Sequence, residues 1–143
     1  MFDSILQAAV EGTRLVCSWP NILYPVVGTL LAMVFAMIPG ISGLTLMALA
    51  IPFTCSWDPL RFLLFFGPLI GSATFTGSIT AILFNIPGSP PNAATVFDGH
   101  PMARNGEAKT AIACSATASA LGSTFGILVL ILLIPVMRSA VLS

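Results

Sequence analysis

The sequence predicts an all-α, polytopic helical membrane protein whose helices are broken or re-entrant. Three observations carry this. Of 143 residues, 57% are hydrophobic and 7% charged, with a mean hydropathy of +1.01, against about 25% charged in an ordinary soluble domain. No charge occurs between Arg14 and Asp58, between Arg61 and Asp98, or between Lys109 and Arg138. Each gap exceeds the roughly 20 residues that a helix needs to cross a membrane, and the first two leave room to cross, break and turn back. Finally, Pro and Gly clusters fall inside these uncharged stretches. Such a composition excludes a soluble enzyme. Five Lys/Arg against five Asp/Glu leave no basic footprint for nucleic acid.

The first residues, MFDSILQ, carry Asp3 and no Lys or Arg, so no cleavable signal peptide is expected. Phe2, Ile5, Leu6, Ala9, Val10 and Val16 share one helical face, opposite Asp3, Gln7, Glu11 and Arg14, which predicts an interfacial helix over residues 1–17. Trp19, Pro20, Asn21 and Tyr24 supply the aromatic and turn residues of the headgroup level. A membrane helix over residues 22–53 comes next. It is broken at Pro39, Gly40, Ser42 and Gly43, because proline clashes with the preceding turn and glycine frees the backbone. The remainder, Leu44 to Phe53, is the length of a half-helix rather than of a span.

Residues 62–95 form a second membrane segment, seeded with Gly67, Pro68, Gly71, Ser72, Thr74, Thr76, Gly77, Ser78 and Thr80. Its end, NIPGSPPNAAT, cannot continue a helix and predicts a re-entrant break, with Ser89 or Asn92 capping a new helix beyond it. Residues 98–109 read as a polar loop: Asp98-Gly99 followed by His100-Pro101 is a turn signal, and Arg104 and Lys109 suit headgroups. The last span covers 110–137. Cys114, Ala118, Gly122 and Gly126 recur every fourth residue and suit close helix packing, with Gly28, Ala32 and Ala36 as a weaker seam in the first crossing. The charges do not fix an orientation. Cys17, Cys55 and Cys114 are odd in number and far apart, which reads as packing, with no metal site.

A helix interrupted within the membrane exposes N–H groups at the start of its second half, and with the helix dipole these favour an anion. Transporters use paired breaks of this kind for an anionic substrate and its coupling cation. The alternative is that both breaks are kinks that let crowded helices pack.

The runs GTLLAMVFAMIPGISGLTLMALAIPFT (Gly28 to Thr54), GSITAILFNIPGSP (Gly77 to Pro90) and TVFDGHPMARNGEA (Thr95 to Ala108) resemble the large membrane subunit of tripartite tricarboxylate transporters. The resemblance implies a multi-pass permease of the bacterial inner (plasma) membrane for citrate-like tri- and dicarboxylates. It implies uptake driven by a cation gradient, Na+ or H+, with a small membrane subunit and a periplasmic solute-binding protein as partners. Membrane lipid surrounds such a subunit, and no cofactor, enzyme activity or nucleic acid is implied. Members are several times longer, so the chain is expected to match an N-terminal part and to lack a second, related half. It departs from the family at Ala32, Ala36, Ser72, Ala73 and Thr76, where glycine is usual, and at His100, where tyrosine is usual.

Pro39, Gly40, Ser42 and Gly43 match the first motif, and Ser78, Asn85, Pro87, Gly88 and Pro90 the second. The expected substrate- and ion-binding residues are therefore Gly40, Ser42, Gly43, Ser78, Asn85 and Gly88, with Ser89 and Asn92 at the second helix start. Asn85 is the sharpest, because its amide both donates and accepts in an uncharged stretch. Asp98 offers a carboxylate to a cation, against its reading as a turn residue. Two alternatives stand beside this function. Gly40-Ile41-Ser42-Gly43 spells the nucleophile signature of rhomboid-like intramembrane serine proteases, for which His100 is the only available base. A purely structural membrane subunit is the other.

Overall fold

The computed structural model describes residues 2–141. The chain forms α1 (Phe2–Cys17), α2 (Leu23–Phe35), α3 (Gly43–Thr54), α4 (Pro59–Phe84), α5 (Ala93–Met102) and α6 (Ala108–Val141), with no strand among the described residues. A 3-10 turn (Pro90–Asn92) leads into α5, and a π turn (Ala103–Glu107) joins α5 to α6. Phe2, Ile5 and Leu6, on which the apolar face of α1 rests, have side chains outside the described residues, as have those beyond Ile134. Two helices, α4 and α6, are long and apolar enough to cross a membrane. With its all-helical architecture and long apolar helices, the chain is a helical membrane protein.

Helix α4 is the axis of the fold. It has 26 residues, about 39 Å at the helical rise, whereas α2 and α3 have 13 and 12. Helix α2 runs alongside the first half of α4 in the same direction. Tyr24 packs edge-on against Trp57, ring centroids 5.2 Å apart, just ahead of α4. One turn on, Gly28 lies so close to Phe65 that a Cβ would stand 2.5 Å from its carbonyl oxygen. Further on, Ala32 and Ala36 are buried in one cluster with Phe66, Leu69 and Ala73. The small-residue seam of the first membrane stretch therefore makes the tightest crossing. The seam of α6 does not: a Cβ at Gly122 or Gly126 would meet nothing within 4 Å.

After Phe35 the chain tightens through bonds from Ile38 N–H to the Phe35 carbonyl and from Ile41 N–H to the Ile38 carbonyl, both 3.1 Å. Gly40, at φ +93°, takes the left-handed conformation that reverses direction. Helix α3 begins at Gly43, where a Cβ would sit 3.0 Å from that of Ala73. It then returns toward the start of α4, to which the short link Cys55–Asp58 ties it. Residues 22–53 are thus a hairpin of two half-length helices, not one crossing with a kink in it. Gly40 reverses the path where a proline alone would bend it.

A second hairpin meets the other half of α4. The helix stops at Asn85, φ +61°, a conformation Asn tolerates better than most residues. Pro87 then lies in non-helical backbone, and Pro90 opens the 3-10 turn. The strand-like return runs back along α4: Gly88 N–H donates to the Gly77 carbonyl at 3.3 Å, and Asn92 Nδ2 donates to the Thr74 carbonyl at 3.0 Å. Both glycines are required by contact, since a Cβ on Gly88 would lie 2.5 Å from the Gly77 Cα, and one on Gly77 would overlap the Asn92 amide. Helix α5 then heads out again toward the end of α4, where Gly99 abuts Ile82. Helix α6 passes back antiparallel to α4 along its flank.

The stretch Asp98 to Lys109 is not a loop. Asp98 lies within α5, and the polar residues Arg104, Asn105 and Glu107 occupy the π turn with their side chains exposed. Pro101 interrupts α5 near its end, and the reversal itself falls at Gly106, φ +87°. The two hairpin tips consequently reach α4 at consecutive residues: Gly43 against Ala73, and Asn92 against Thr74.

Candidate functional site

The first tip is built for donation. Ser42 caps α3, its Oγ accepting from Thr45 N–H at 3.3 Å and lying 3.1 Å from the Thr45 hydroxyl. The Leu46 N–H donates to the Ser42 carbonyl. The N–H groups of Gly43 and Leu44, in the first turn, have no intrahelical acceptor. Gly40 supplies the turn, and a Cβ there would meet nothing within 4 Å beyond the adjacent residues.

The second tip is built for acceptance. Pro90 and Pro91 have no N–H, while those of Asn92 and Ala93 donate to the Ser89 and Pro90 carbonyls. The free donors that a broken helix would expose are therefore largely absent at the start of α5. Asn92 is buried, at 6% exposure. Its two amide protons are both engaged, one on the Thr74 carbonyl and one on Ser89 Oγ at 2.9 Å. These partners settle which side-chain atom is nitrogen, because only an N–H group can meet the Thr74 carbonyl. Asn92 Oδ1 has no hydrogen-bond partner among the described residues and is left as an acceptor.

Between the second hairpin and α6 lies an open cleft of about 520 Å³, whose lining includes Thr74, Ser78, Asn92, Thr95, Asp98 and Ser115. The spacing of Asn92, Thr95 and Asp98 places them along one side of α5. Ser78, buried in α4, lies 2.7 Å from the Phe75 carbonyl and 2.7 Å from Ser115 Oγ of α6. A hydroxyl has one proton. With that of Ser78 on Phe75, Ser115 donates to Ser78 and keeps its lone pairs for the cleft. No Lys or Arg lines this cleft.

The structure therefore separates the eight residues expected from the sequence. Gly40, Ser42 and Gly43 form the first tip. Ser78 and Asn92 line the cleft, and Ser89 and Gly88 hold its floor through Asn92 and Gly77. Asn85 joins neither: it is exposed, ends α4 in left-handed conformation and does not line the cleft. The sequence does not single out Thr95 or Ser115. Ser115 sits beside the small-residue row of α6 and reads there as packing, and Thr95 closes the proline-rich break and faces the cleft only because α5 starts at Ala93.

The protease constellation is not assembled. The Ser42 oxygen is engaged in capping α3, and His100 Nδ1 lies 3.0 Å from the Ile82 carbonyl. Ser42 and His100 share no hydrogen bond.

Compared with known proteins, residues 22–143 match the family described as "Tripartite tricarboxylate transporter TctA family". The chain is also 34% identical over 122 residues to an uncharacterized 52.8 kDa protein in the TAR-I ttuC' 3' region of Agrobacterium vitis, a match covering 85% of this chain and 24% of that protein. The chain thus spans about a quarter of the length of the curated relative it matches. No solved structure matches it.

Proposed function

The chain belongs to the tripartite tricarboxylate transporter TctA family, which is a transporter family and not one of enzymes, and from this we propose that it forms part of a permease for citrate-like tri- and dicarboxylates. Uptake is driven by a cation gradient, Na+ or H+. A small membrane subunit and a periplasmic solute-binding protein complete the assembly, which sits in the bacterial inner membrane with the chain crossing it more than once.

The observation that carries the reading is the family match over residues 22–143. The geometry supports it through the two hairpin tips that meet mid-α4. Non-helical backbone at that depth is tolerated where it is buried in protein or lines a wet cavity, and half-helix ends at that level are where transporters hold their substrate and coupling ion. The carboxylate is assigned to the first tip, where Gly43 and Leu44 present N–H groups beside Ser42 at the positive end of α3. Gly40 keeps the approach open.

Uptake of labelled citrate, and of a dicarboxylate, by cells carrying the chain with its partner subunits tests the proposal. Accumulation that collapses when the cation gradient is dissipated is the expected result. Accumulation of neither compound, with all subunits in the membrane, overturns it.

A further inference from the structure

We infer that the cleft between the second hairpin and α6 binds a monovalent cation of the sodium class, through the Asp98 carboxylate with Asn92 Oδ1 and Ser115 Oγ as neutral oxygen ligands. The inference rests on the permease reading and deepens it, assigning the coupling ion a place apart from the substrate.

The donor set decides the chemistry. Asp98, Asn92, Thr95 and Ser115 line one cleft, and each offers oxygen. Hydrogen bonding has already turned these groups into acceptors: both Asn92 amide protons are engaged away from Oδ1, and the Ser115 proton is directed to Ser78. Asn92 is 6% exposed, yet its Oδ1 has no protein partner among the described residues. No buried polar side-chain atom is left without a hydrogen bond among those residues, so Oδ1 keeps open surface. With both of its protons engaged, the amide can offer the cleft only an acceptor, which suits a donor or a cation.

An anionic substrate fits badly here. No Lys or Arg lines the cleft to offset its charge. Asp98 repels a carboxylate; Pro90 and Pro91, ahead of α5, have no N–H, and those of Asn92 and Ala93 are already engaged. Hard cations take oxygen ligands. Their charge is set by the number of carboxylates: only Asp98 is present, and the described residues hold no group of three or more His, Cys, Asp or Glu side chains that could bind a metal ion. One negative charge with neutral oxygens matches a monovalent ion, as at the unwound backbone of sodium-coupled transporters. The cleft of about 520 Å³ leaves the ion several of its waters.

The test uses the whole chain in lipid nanodiscs, with sodium chloride titrated against choline chloride at constant ionic strength. Binding is read by sodium-23 NMR line broadening and by the midpoint of thermal unfolding. Saturable broadening and a rise in the midpoint with sodium are expected, with neither in choline. Asp98→Asn should weaken the apparent affinity by about tenfold or more. Because Asp98 is exposed, the variant should fold as the parent does, and Ser115→Ala gives a second, smaller loss. Equal binding by the parent and Asp98→Asn overturns the assignment, as does the absence of saturable sodium binding by the folded parent. The two readings fail separately. Sodium binding without carboxylate uptake by the complete assembly removes the permease reading alone; uptake indifferent to sodium and to Asp98→Asn removes the cation site alone.

Discussion

His100 Nδ1 lies 3.0 Å from the carbonyl oxygen of Ile82, so the imidazole of α5 caps the end of α4. That carbonyl would ordinarily accept from the N–H four residues on, but α4 stops at Phe84 and Ile86 is no longer helical. Ile82 is fully buried, so water cannot replace the donor. With the tautomer that carries its proton on Nδ1, His100 satisfies a helix end from a neighbouring helix.

His100→Ala should therefore lower stability by about 1 to 3 kcal/mol, the cost of leaving a buried acceptor unpaired. Reversible unfolding in mixed micelles measures this. A change below about 0.5 kcal/mol would show that the carbonyl finds another donor.

Gly77→Ala should cost more than Gly67→Ala. The Cβ at Gly77 meets the Asn92 amide and the Gly88 backbone, whereas nothing lies within 4 Å at Gly67. Overpacking against backbone costs about 1 to 3 kcal/mol, while alanine in an open helix position favours the helix by up to about 1 kcal/mol. Thermal unfolding of the two variants side by side checks the order. Equal midpoints would mean that the returning segment does not lie on α4.

Asn85→Gly should keep both the folded protein and the uptake affinity, because glycine takes the left-handed conformation freely. Asn85→Leu should lower the amount of folded protein through about 1 to 2 kcal/mol of strain. The substrate affinity of the surviving fraction should stay unchanged. Uptake kinetics normalised to membrane protein separate the two quantities, and a lost affinity in Asn85→Gly would return Asn85 to the binding site.

Ser78→Ala and Ser115→Ala should each destabilise by about 0.6 kcal/mol, the mean for hydrogen bonds between membrane helices. The double variant should cost little more than either alone, since the two hydroxyls share one bond. A double-mutant cycle by unfolding gives the coupling directly, and strict additivity would deny the bond between α4 and α6.

The helical class and its membrane character are legible because charge confinement and apolar length are local properties of the sequence. The hairpins are not. Pro39 and Gly40 announce an interruption, but whether the chain resumes its course or doubles back depends on Gly43 meeting Ala73, a contact between distant residues. Asp98 to Lys109 misleads for a related reason. Gly99 and Pro101 look like turn residues, yet Gly99 is there so that α5 can press on Ile82, and the left-handed glycine is Gly106. Asn85 stands out as a lone amide in apolar surroundings. In the structure it ends α4 at positive φ, a backbone role that Asn takes more readily than most residues and that its amide chemistry does not announce. Asn92, beside three prolines, reads mainly as a cap, and its burial against Thr74 emerges only once the segment folds back.

Two hairpins that come in and go out on the side they came from have a further consequence, which concerns parity. In the proposed membrane arrangement, neither α2 with α3 nor the Asn85–Met102 segment alters the side on which the chain next emerges, so α4 and α6, the two helices long enough to cross, decide the topology. Reporter fusions at Trp57, ahead of α4, and past the end of α6 should accordingly read the same compartment, and a fusion at Asn105 the opposite one. Reading α2 and α3 as full crossings would leave those three assignments unchanged and would misplace the tip around Gly40, which a fusion on either side should fail to report as a loop.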